Sequence, residues 1–162
     1  MTVGFLNPDS NFLLPGLASD VPDEPIDVTI YVEARIKPWT FNITHIVNET
    51  TSTEVAIPAS KYETIPAGAG YGETVHYTTI EMRVGYVYRV IFKAIDTDHG
   101  MQPSTALKDY FGNTIQLNLP QHAEVSVYFK PTANQIGNYT YACSFFCGTG
   151  HGNMHGIFMV TE

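Results

Sequence analysis

Seven segments that read as short strands constrain the fold of this chain more than any other feature. The first is rich in β-branched and aromatic side chains and alternates between apolar and polar residues, which is typical of a strand with one buried face. Their sequences are DVTIYVEARIKPWTFNI (27–43), VHYTTIEMRV (75–84), YVYRVIFKAID (86–96), TIQLNLP (114–120), HAEVSVYFKP (122–131), GNYTYAC (137–143) and GIFMV (156–160). No strong amphipathic helix is expected between them. The pattern therefore predicts an all-β sandwich or small barrel.

The remaining segments are weakly patterned and set the predicted domain organisation. Residues 1–25 contain four prolines and little periodicity, which predicts an irregular N-terminal lead. Residues 45–74 are rich in Thr, Ala and Gly and include the turn-like PAGAGYG, so we expect a long loop or an excursion from the main sheet there. A second irregular stretch is expected at about 100–114. We expect one domain over residues 26–162, with the excursion at about 42–78.

Composition bounds the class of protein. A chain of 162 residues is long enough for one domain with a core. The net charge of −8 argues against nucleic acid or an anionic membrane surface as a partner. No run of about 18 apolar residues is present, so we expect no membrane span. The first residues lack the basic and apolar regions of a secretory signal, which suggests either a soluble protein or a domain whose signal or anchor was replaced at Met1.

Near the C-terminus, the stretch CSFFCGTGHGNMHG (143–156) concentrates metal-binding side chains. The thiols of Cys143 and Cys147, the His151 imidazole and the Met154 thioether lie within twelve residues of sequence. This soft set of ligands selects copper over harder ions. The glycines between them disfavour a helix, because each costs about 1 kcal/mol in a helix interior. The pattern indicates a loop that folds its ligands around a metal.

Three other interpretations of the cysteines stay open. A disulfide between Cys143 and Cys147 would close a short loop and would gain little stability from that closure. Structural zinc suits the thiolates and imidazoles but leaves Met154 unexplained. The cluster could also be coincidental. Copper is favoured because it accounts for every member of the set.

The second cysteine separates two kinds of copper site. Cys147, His151 and Met154, with one upstream histidine, would make a mononuclear blue-copper site in which Cys143 is surplus. Two thiolates in one loop can instead bridge two copper ions. Each ion then needs one imidazole, so a second histidine must come from elsewhere in the chain.

His99 is the best candidate for that second histidine. It follows the strand segment YVYRVIFKAID and precedes Gly100, where the end of a strand can present a side chain. His155 is the rival, because it is adjacent to Met154. The other histidines are interpreted as surface residues: His45, His76 and His122.

The loop resembles the binuclear CuA loop of cytochrome c oxidase subunit II, written Cys-x3-Cys-x3-His-x2-Met. The similarity is greatest to the ba-type oxidases, whose loop also runs Cys-Gly-x-Gly-His-x-Asn-Met, and nitrous oxide reductase carries a similar loop. Upstream, IEMRVGYVYRVIFKAIDTDHG (80–100) is similar to the strand–turn–strand that leads to the family's first ligand histidine. The segment DVTIYVEARIKPWTF (27–41) is similar to the first strand and its aromatic patch.

The resemblance implies a cupredoxin fold, a Greek-key β-sandwich, that holds two copper ions. The implied ligands are two bridging thiolates, one imidazole for each copper, a weak axial thioether and a main-chain carbonyl, supplied in that order by Cys143 and Cys147, His99 and His151, Met154, and Phe145.

The same resemblance implies an electron-transfer domain that is not an enzyme on its own and has no catalytic residue. Cytochrome c or another small redox protein would donate single electrons, and the acceptor would be a terminal oxidase whose subunit I performs the oxygen chemistry. The domain would lie at the outer face of the cytoplasmic membrane or in the periplasm, and would meet the membrane only through an anchor or the complex. Trp39, the single tryptophan, is interpreted either as part of the face that receives electrons or as a core anchor.

Three alternative functions stay open. They are a free-standing soluble copper electron carrier, the CuA domain of a nitrous oxide reductase, and, less favoured, a copper chaperone. Chaperones with a Cys-x3-Cys motif resemble thioredoxin and place it at an early strand-to-helix turn, whereas Cys143 and Cys147 follow strands near the C-terminus. A nitrous oxide reductase would also need a large histidine-rich domain for its catalytic cluster.

Overall fold

The structure, a computed structural model, describes residues 20–36, 39–64, 74–144 and 154–162. Within these ranges the chain forms twelve strands and one short 3-10 helix at Ala133–Gln135. The strands are β1 (Val28–Ile36), β2 (Trp39–Asn48), β3 (Thr53–Glu54), β4 (Lys61–Thr64), β5 (Thr74–Tyr77), β6 (Ile80–Arg83), β7 (Tyr88–Ala94), β8 (His99–Pro103), β9 (Leu117–Leu119), β10 (Glu124–Phe129), β11 (Gly137–Ala142) and β12 (His155–Thr161).

Two sheets face each other. The larger sheet has the order β10-β7-β1-β2-β5-β4, with β3 paired to β2, and the smaller has the order β6-β12-β11-β8-β9. At the centre of the larger sheet, β1 pairs antiparallel with β2 and parallel with β7. The all-β sandwich predicted from the sequence is confirmed.

Strand β1 illustrates why the alternating segments form strands. Its residues Ile30, Val32 and Ala34 are buried, while Tyr31 and Glu33 between them are only partly covered. Full burial of a side chain such as Ile or Val stabilises the fold by about 1.5–3 kcal/mol. The period of two in the sequence therefore translates directly into one face against the opposite sheet.

An aromatic cluster joins the two sheets at the middle of the core. The ring of Tyr141 on β11 lies 4.9 Å from that of Phe41 on β2 and 6.0 Å from that of Phe92 on β7. On its own sheet, Tyr141 lies 4.9 Å from Phe158 of β12. Edge-to-face contacts of this kind add about 0.5–1.5 kcal/mol per pair beyond the area that they bury. This cluster fixes β11 and β12, the strands that flank the glycine-rich loop, against the larger sheet.

The segment 75–84, predicted as one strand, is divided between the two sheets. Its first part, β5, pairs with β2 and β4, whereas its second part, β6, pairs with β12. Between them, the Thr78 amide donates to the Phe41 carbonyl, and the Ile43 amide donates to the Thr78 hydroxyl. The buried threonine thus satisfies backbone groups where the chain changes sheets.

The expectation of an irregular stretch at about 100–114 was wrong for its first residues. Strand β8 covers them, and pairs with β9 and β11. Both partner strands are distant from β8 in sequence. The sequence of β8 itself, HGMQP, shows little alternation of apolar and polar residues. Residues 104–116 contain no strand or helix, as expected.

The region at about 42–78, predicted to be an excursion, contributes strands to the larger sheet in its described parts. Strand β2 continues to Asn48, β3 pairs with it, and the β4–β5 pair extends the sheet beyond it. The bounds of the domain and of the lead at 1–25 stay predictions, and residues 1–19 lie outside the described part of the chain.

The Glu24 carboxylate helps to anchor the segment before β1 to the body of the domain. The Tyr110 hydroxyl donates to Glu24 at 2.6 Å, and the Lys130 ammonium donates to the same carboxylate at 3.0 Å. The hydrogen bond from Tyr110 and the positive charge of Lys130 lower the pKa of Glu24. Residues 20–27 contain no strand or helix.

Replacing Tyr141 with phenylalanine is expected to stabilise the metal-free protein by about 1 kcal/mol. The Tyr141 hydroxyl is buried, its pKa is raised by that burial, and it has no hydrogen-bond partner among the described residues. A buried hydroxyl without a partner costs free energy that the phenylalanine ring avoids. Urea-induced unfolding measures the change.

Tyr139→Phe is the matched control, because the Tyr139 hydroxyl donates to the Gln135 carbonyl at 2.7 Å. Its loss is expected to destabilise the protein by about 1 kcal/mol. Equal destabilisation by the two substitutions would contradict the assignment of Tyr141 as unsatisfied.

Candidate metal centre

Three of the predicted ligands lie in the described part of the chain, and all three are buried. His99 begins β8, Cys143 directly follows β11, and Met154 directly precedes β12. Their exposed fractions are 1%, 5% and 0%. The Sγ atom of Cys143 lies 3.6 Å from Nδ1 of His99. The structure therefore brings together an imidazole and a thiol that are far apart in sequence.

The two sulfur-bearing residues face each other across the base of the glycine-rich loop. Strands β11 and β12 pair antiparallel up to Ala142 and His155. The pairing continues by one step, because the Cys143 amide donates to the Met154 carbonyl at 3.1 Å. This hydrogen bond closes the two ends of the loop. The other predicted ligands, Phe145, Cys147 and His151, lie outside the described residues.

The short connection between β7 and β8 positions His99. The Ile95 amide donates to the Ala34 carbonyl at 3.1 Å, and the Gln121 amide donates to the Asp98 carboxylate at 2.8 Å. In β8, His99 is paired with Leu119 of β9. The backbone on both sides of the histidine is thus held by neighbouring strands, which fixes the direction of its side chain.

The two donor atoms are separated as ligands of one metal ion would be. With the bond lengths of a tetrahedral zinc site, about 2.3 Å to a thiolate and about 2.0 Å to an imidazole nitrogen, the donor atoms lie about 3.5 Å apart. The observed 3.6 Å between Sγ of Cys143 and Nδ1 of His99 agrees with that separation. Met154, whose carbonyl accepts from the Cys143 amide, is also buried, and its thioether is a soft ligand that favours copper. The described residues contain no group of three or more His, Cys, Asp or Glu side chains placed to hold a metal.

The remaining histidines have other surroundings. The ring of His155 is half-buried and packs against Tyr77, with 5.2 Å between the centroids. His45 and His122 are exposed, as predicted. His76 is half-buried instead, because its ring stacks on Tyr62, and desolvation lowers its pKa.

Two features of the site were missed by the sequence analysis. Asp96 lies 3.5 Å from Nε2 of His99, on the side opposite Cys143. The signal was present as DTDHG, with carboxylates immediately before the histidine. Gly156 lies directly against the Tyr141 ring, and a Cβ atom there would overlap the ring. Glycine is therefore required for β11 and β12 to pack closely beneath the loop.

Comparison with known proteins identifies the fold. No family profile and no curated protein sequence matches the chain. Among solved structures, the periplasmic domain of cytochrome oxidase subunit II (CoxB) of Bradyrhizobium japonicum matches with a TM-score of 0.52 and 16% identity, over 86% of this chain and 87% of that one. The chain has the fold of the periplasmic domain of oxidase subunit II. The resemblance seen in the sequence is thereby confirmed at the level of the fold, which is cupredoxin-like.

A second subunit II structure supports the same fold. Subunit II of cytochrome c oxidase, solved as a mixed disulfide with the thioredoxin-like protein TlpAs, matches with a TM-score of 0.51 and 18% identity, over 88% of this chain and 86% of that one. In the ranges that the structure describes, no helix is long and apolar enough to cross a membrane.

Proposed function

We propose that this chain is a binuclear copper electron-transfer domain of the CuA type. It would accept single electrons from a donor such as cytochrome c and pass them to a terminal oxidase. The observation that carries the proposal is the buried contact between Cys143 Sγ and His99 Nδ1 beside Met154, in a chain with the fold of oxidase subunit II.

The proposed ligand set follows the sequence motif. Two thiolates, two imidazoles, a thioether and a main-chain carbonyl would come from Cys143 and Cys147, His99 and His151, Met154, and Phe145. When bound, a pair of copper ions would supply a one-electron redox centre.

The proposed role of the protein is to hold the ligands in fixed positions and to exclude water from them. His99, Cys143 and Met154 stand at the ends of paired strands, so their backbone positions are set before metal arrives. Their burial keeps water from the donor atoms and strengthens local electrostatic interactions. Because ligands that barely move require little rearrangement when the charge changes, this arrangement suits electron transfer. We assign no bond chemistry to the chain and place oxygen reduction in another subunit.

The proposed location and partners follow from the surface and from the structural relatives. The solved relative from Bradyrhizobium is described as a periplasmic domain, and we propose the same side of the membrane here. The net charge of −8 favours a basic donor protein such as cytochrome c, since complementary charges steer encounter. Oxidase subunit I is the proposed acceptor.

Copper binding requires both cysteines to be reduced, because the thiolate is the ligand. In one of the solved relatives, subunit II forms a mixed disulfide with a thioredoxin-like protein. We propose that a thiol–disulfide partner of that class keeps Cys143 and Cys147 available for metal.

Electron transfer from reduced cytochrome c to the copper-loaded protein is expected to slow by about tenfold or more when ionic strength rises from ~10 mM to ~150 mM. The physical reason is that salt screens the attraction between the acidic domain and the basic donor. Stopped-flow absorbance measures the second-order rate. The zinc-loaded protein is the control and should accept no electrons. A copper-loaded protein that cytochrome c fails to reduce at any salt concentration would contradict the proposed donor.

A further inference from the structure

Asp96 connects His99 to the end of β1. Its Oδ1 atom lies 3.5 Å from Nε2 of His99, whose side chain is fully buried, while the Asp96 side chain is 29% exposed. The Ile36 amide donates to both oxygens of the same carboxylate, at 3.2 and 3.0 Å. Ile36 is the last residue of β1. One carboxylate therefore contacts both the candidate ligand and the end of β1.

The contacts of the imidazole set which nitrogen carries the proton. A neutral imidazole has one N–H donor and one bare nitrogen acceptor. A carboxylate is only an acceptor, so the Nε2–H of His99 donates to Asp96. In a neutral imidazole with that proton, Nδ1 is the bare nitrogen, and in the structure it faces Cys143 Sγ at 3.6 Å. This is the tautomer that metal coordination through Nδ1 requires.

The carboxylate is itself firmly placed. It is held by the Ile36 amide, and the neighbouring Ile95 amide donates to the Ala34 carbonyl. A carboxylate that rotated freely would not favour one tautomer of the His99 imidazole. A carboxylate bound by a backbone amide presents its oxygen in a fixed direction and does favour one.

We propose that Asp96 is the positioning residue of this centre: it holds His99 in the Nε2–H tautomer, with Nδ1 free to bind a metal, and links that ligand to the end of β1. The inference rests on the proposed function, because it assigns the role relative to a copper ligand. Asp96 would act through His99 and would not itself be a ligand. Its link to Ile36 means that a displacement of the end of β1 would be transmitted to the ligand through one hydrogen-bonded group.

The first test needs no metal. In the reduced metal-free protein with ¹⁵N-labelled histidine, NMR should show His99 with a protonated Nε2 and a bare Nδ1. Asp96→Asn keeps an oxygen for the Ile36 amide but loses the charged acceptor, which is about twice as strong as a neutral one. His99 is therefore expected to become a mixture of tautomers.

Asp109→Asn is the matched control. It removes the same charge in the segment 104–116, where the Asp109 carboxylate accepts from the Phe111 and Asn113 amides as Asp96 does from the Ile36 amide. It should leave the tautomer of His99 unchanged. A wild-type His99 with Nδ1 protonated would overturn the proposal, even if Asp96→Asn failed to fold. An unchanged tautomer in folded Asp96→Asn would also overturn it.

The second test uses copper. Asp96→Asn is expected to weaken copper binding by about 10–100-fold, the usual effect of losing a group that orients a ligand. Its electron paramagnetic resonance spectrum should also change, whereas Asp109→Asn should match wild type in both. If wild type binds no copper, the proposed function fails. If wild type binds copper and the two variants behave alike, the function stands and the role of Asp96 is overturned.

Discussion

Replacing Cys143 with serine is expected to abolish the binuclear copper centre. A serine hydroxyl is a harder and much weaker copper ligand than a thiolate, and it cannot bridge two ions as the proposed sulfur does. Copper affinity should fall by more than the about 10–100-fold that follows loss of an orienting group, because a direct ligand is removed. Metal counting after copper loading should give no more than one ion per chain.

The Cys143→Ser substitution is also expected to lower the free energy of unfolding. Position 143 is 5% exposed, so a hydroxyl there is buried and costs about 1–3 kcal/mol if it finds no partner. Ala142→Ser is a suitable control, because it adds a hydroxyl at the adjacent exposed position. That variant should keep full copper loading and near-normal stability. A Cys143→Ser protein that still takes up two copper ions with an unchanged spectrum would contradict the assignment of Cys143.

Replacing His99 with alanine has the second largest expected effect. The substitution removes the imidazole that lies 3.6 Å from the Cys143 sulfur and leaves a cavity, since His99 is 1% exposed. We expect copper loading to fall below two ions per chain and the spectrum to lose the signature of a shared electron. The metal-free protein should also lose stability by about 1–3 kcal/mol, within the usual range for single substitutions.

The His155→Ala variant distinguishes between His99 and His155, the two candidates for the second ligand histidine. His155 is half-buried and packs against Tyr77, so its loss should reduce stability slightly and leave two copper ions bound. Metal counting and spectra of the two variants, recorded side by side, make the comparison. A reversed pattern, in which His99→Ala keeps the centre and His155→Ala loses it, would transfer the ligand role to His155.

The parts of the fold that could be predicted from the sequence are those in which the pattern is local. From Ile30 to Ala34 in β1, burial alternates as the sequence does, so the strand and its inward face were both predictable. Strand β8 was missed because its five residues have little alternation, and its pairing with β9 and β11 comes from distant parts of the chain. The division of segment 75–84 between two sheets depends on the course of β2 and β12, which no local pattern encodes.

The candidate site was likewise predictable where its residues are close in sequence, and not where they come from distant parts of the chain. Spacing within CSFFCGTGHGNMHG was enough to predict soft metal ligands, because those residues are close in sequence. His99 was predictable only as a residue at the end of a strand, and the structure places it beside Cys143. The role of Asp96 depends on how the β7–β8 connection turns back towards Ile36, so it became visible only in three dimensions.

The most direct test of the central claim is copper loading of the reduced protein, followed by metal counting and electron paramagnetic resonance. The expected result is two copper ions per chain, with hyperfine structure from one electron shared by two copper nuclei. A single copper per chain with hyperfine structure from one nucleus would contradict the binuclear assignment and make Cys143 a bystander in an ordinary cupredoxin site. No copper uptake by the reduced protein would contradict the copper assignment itself.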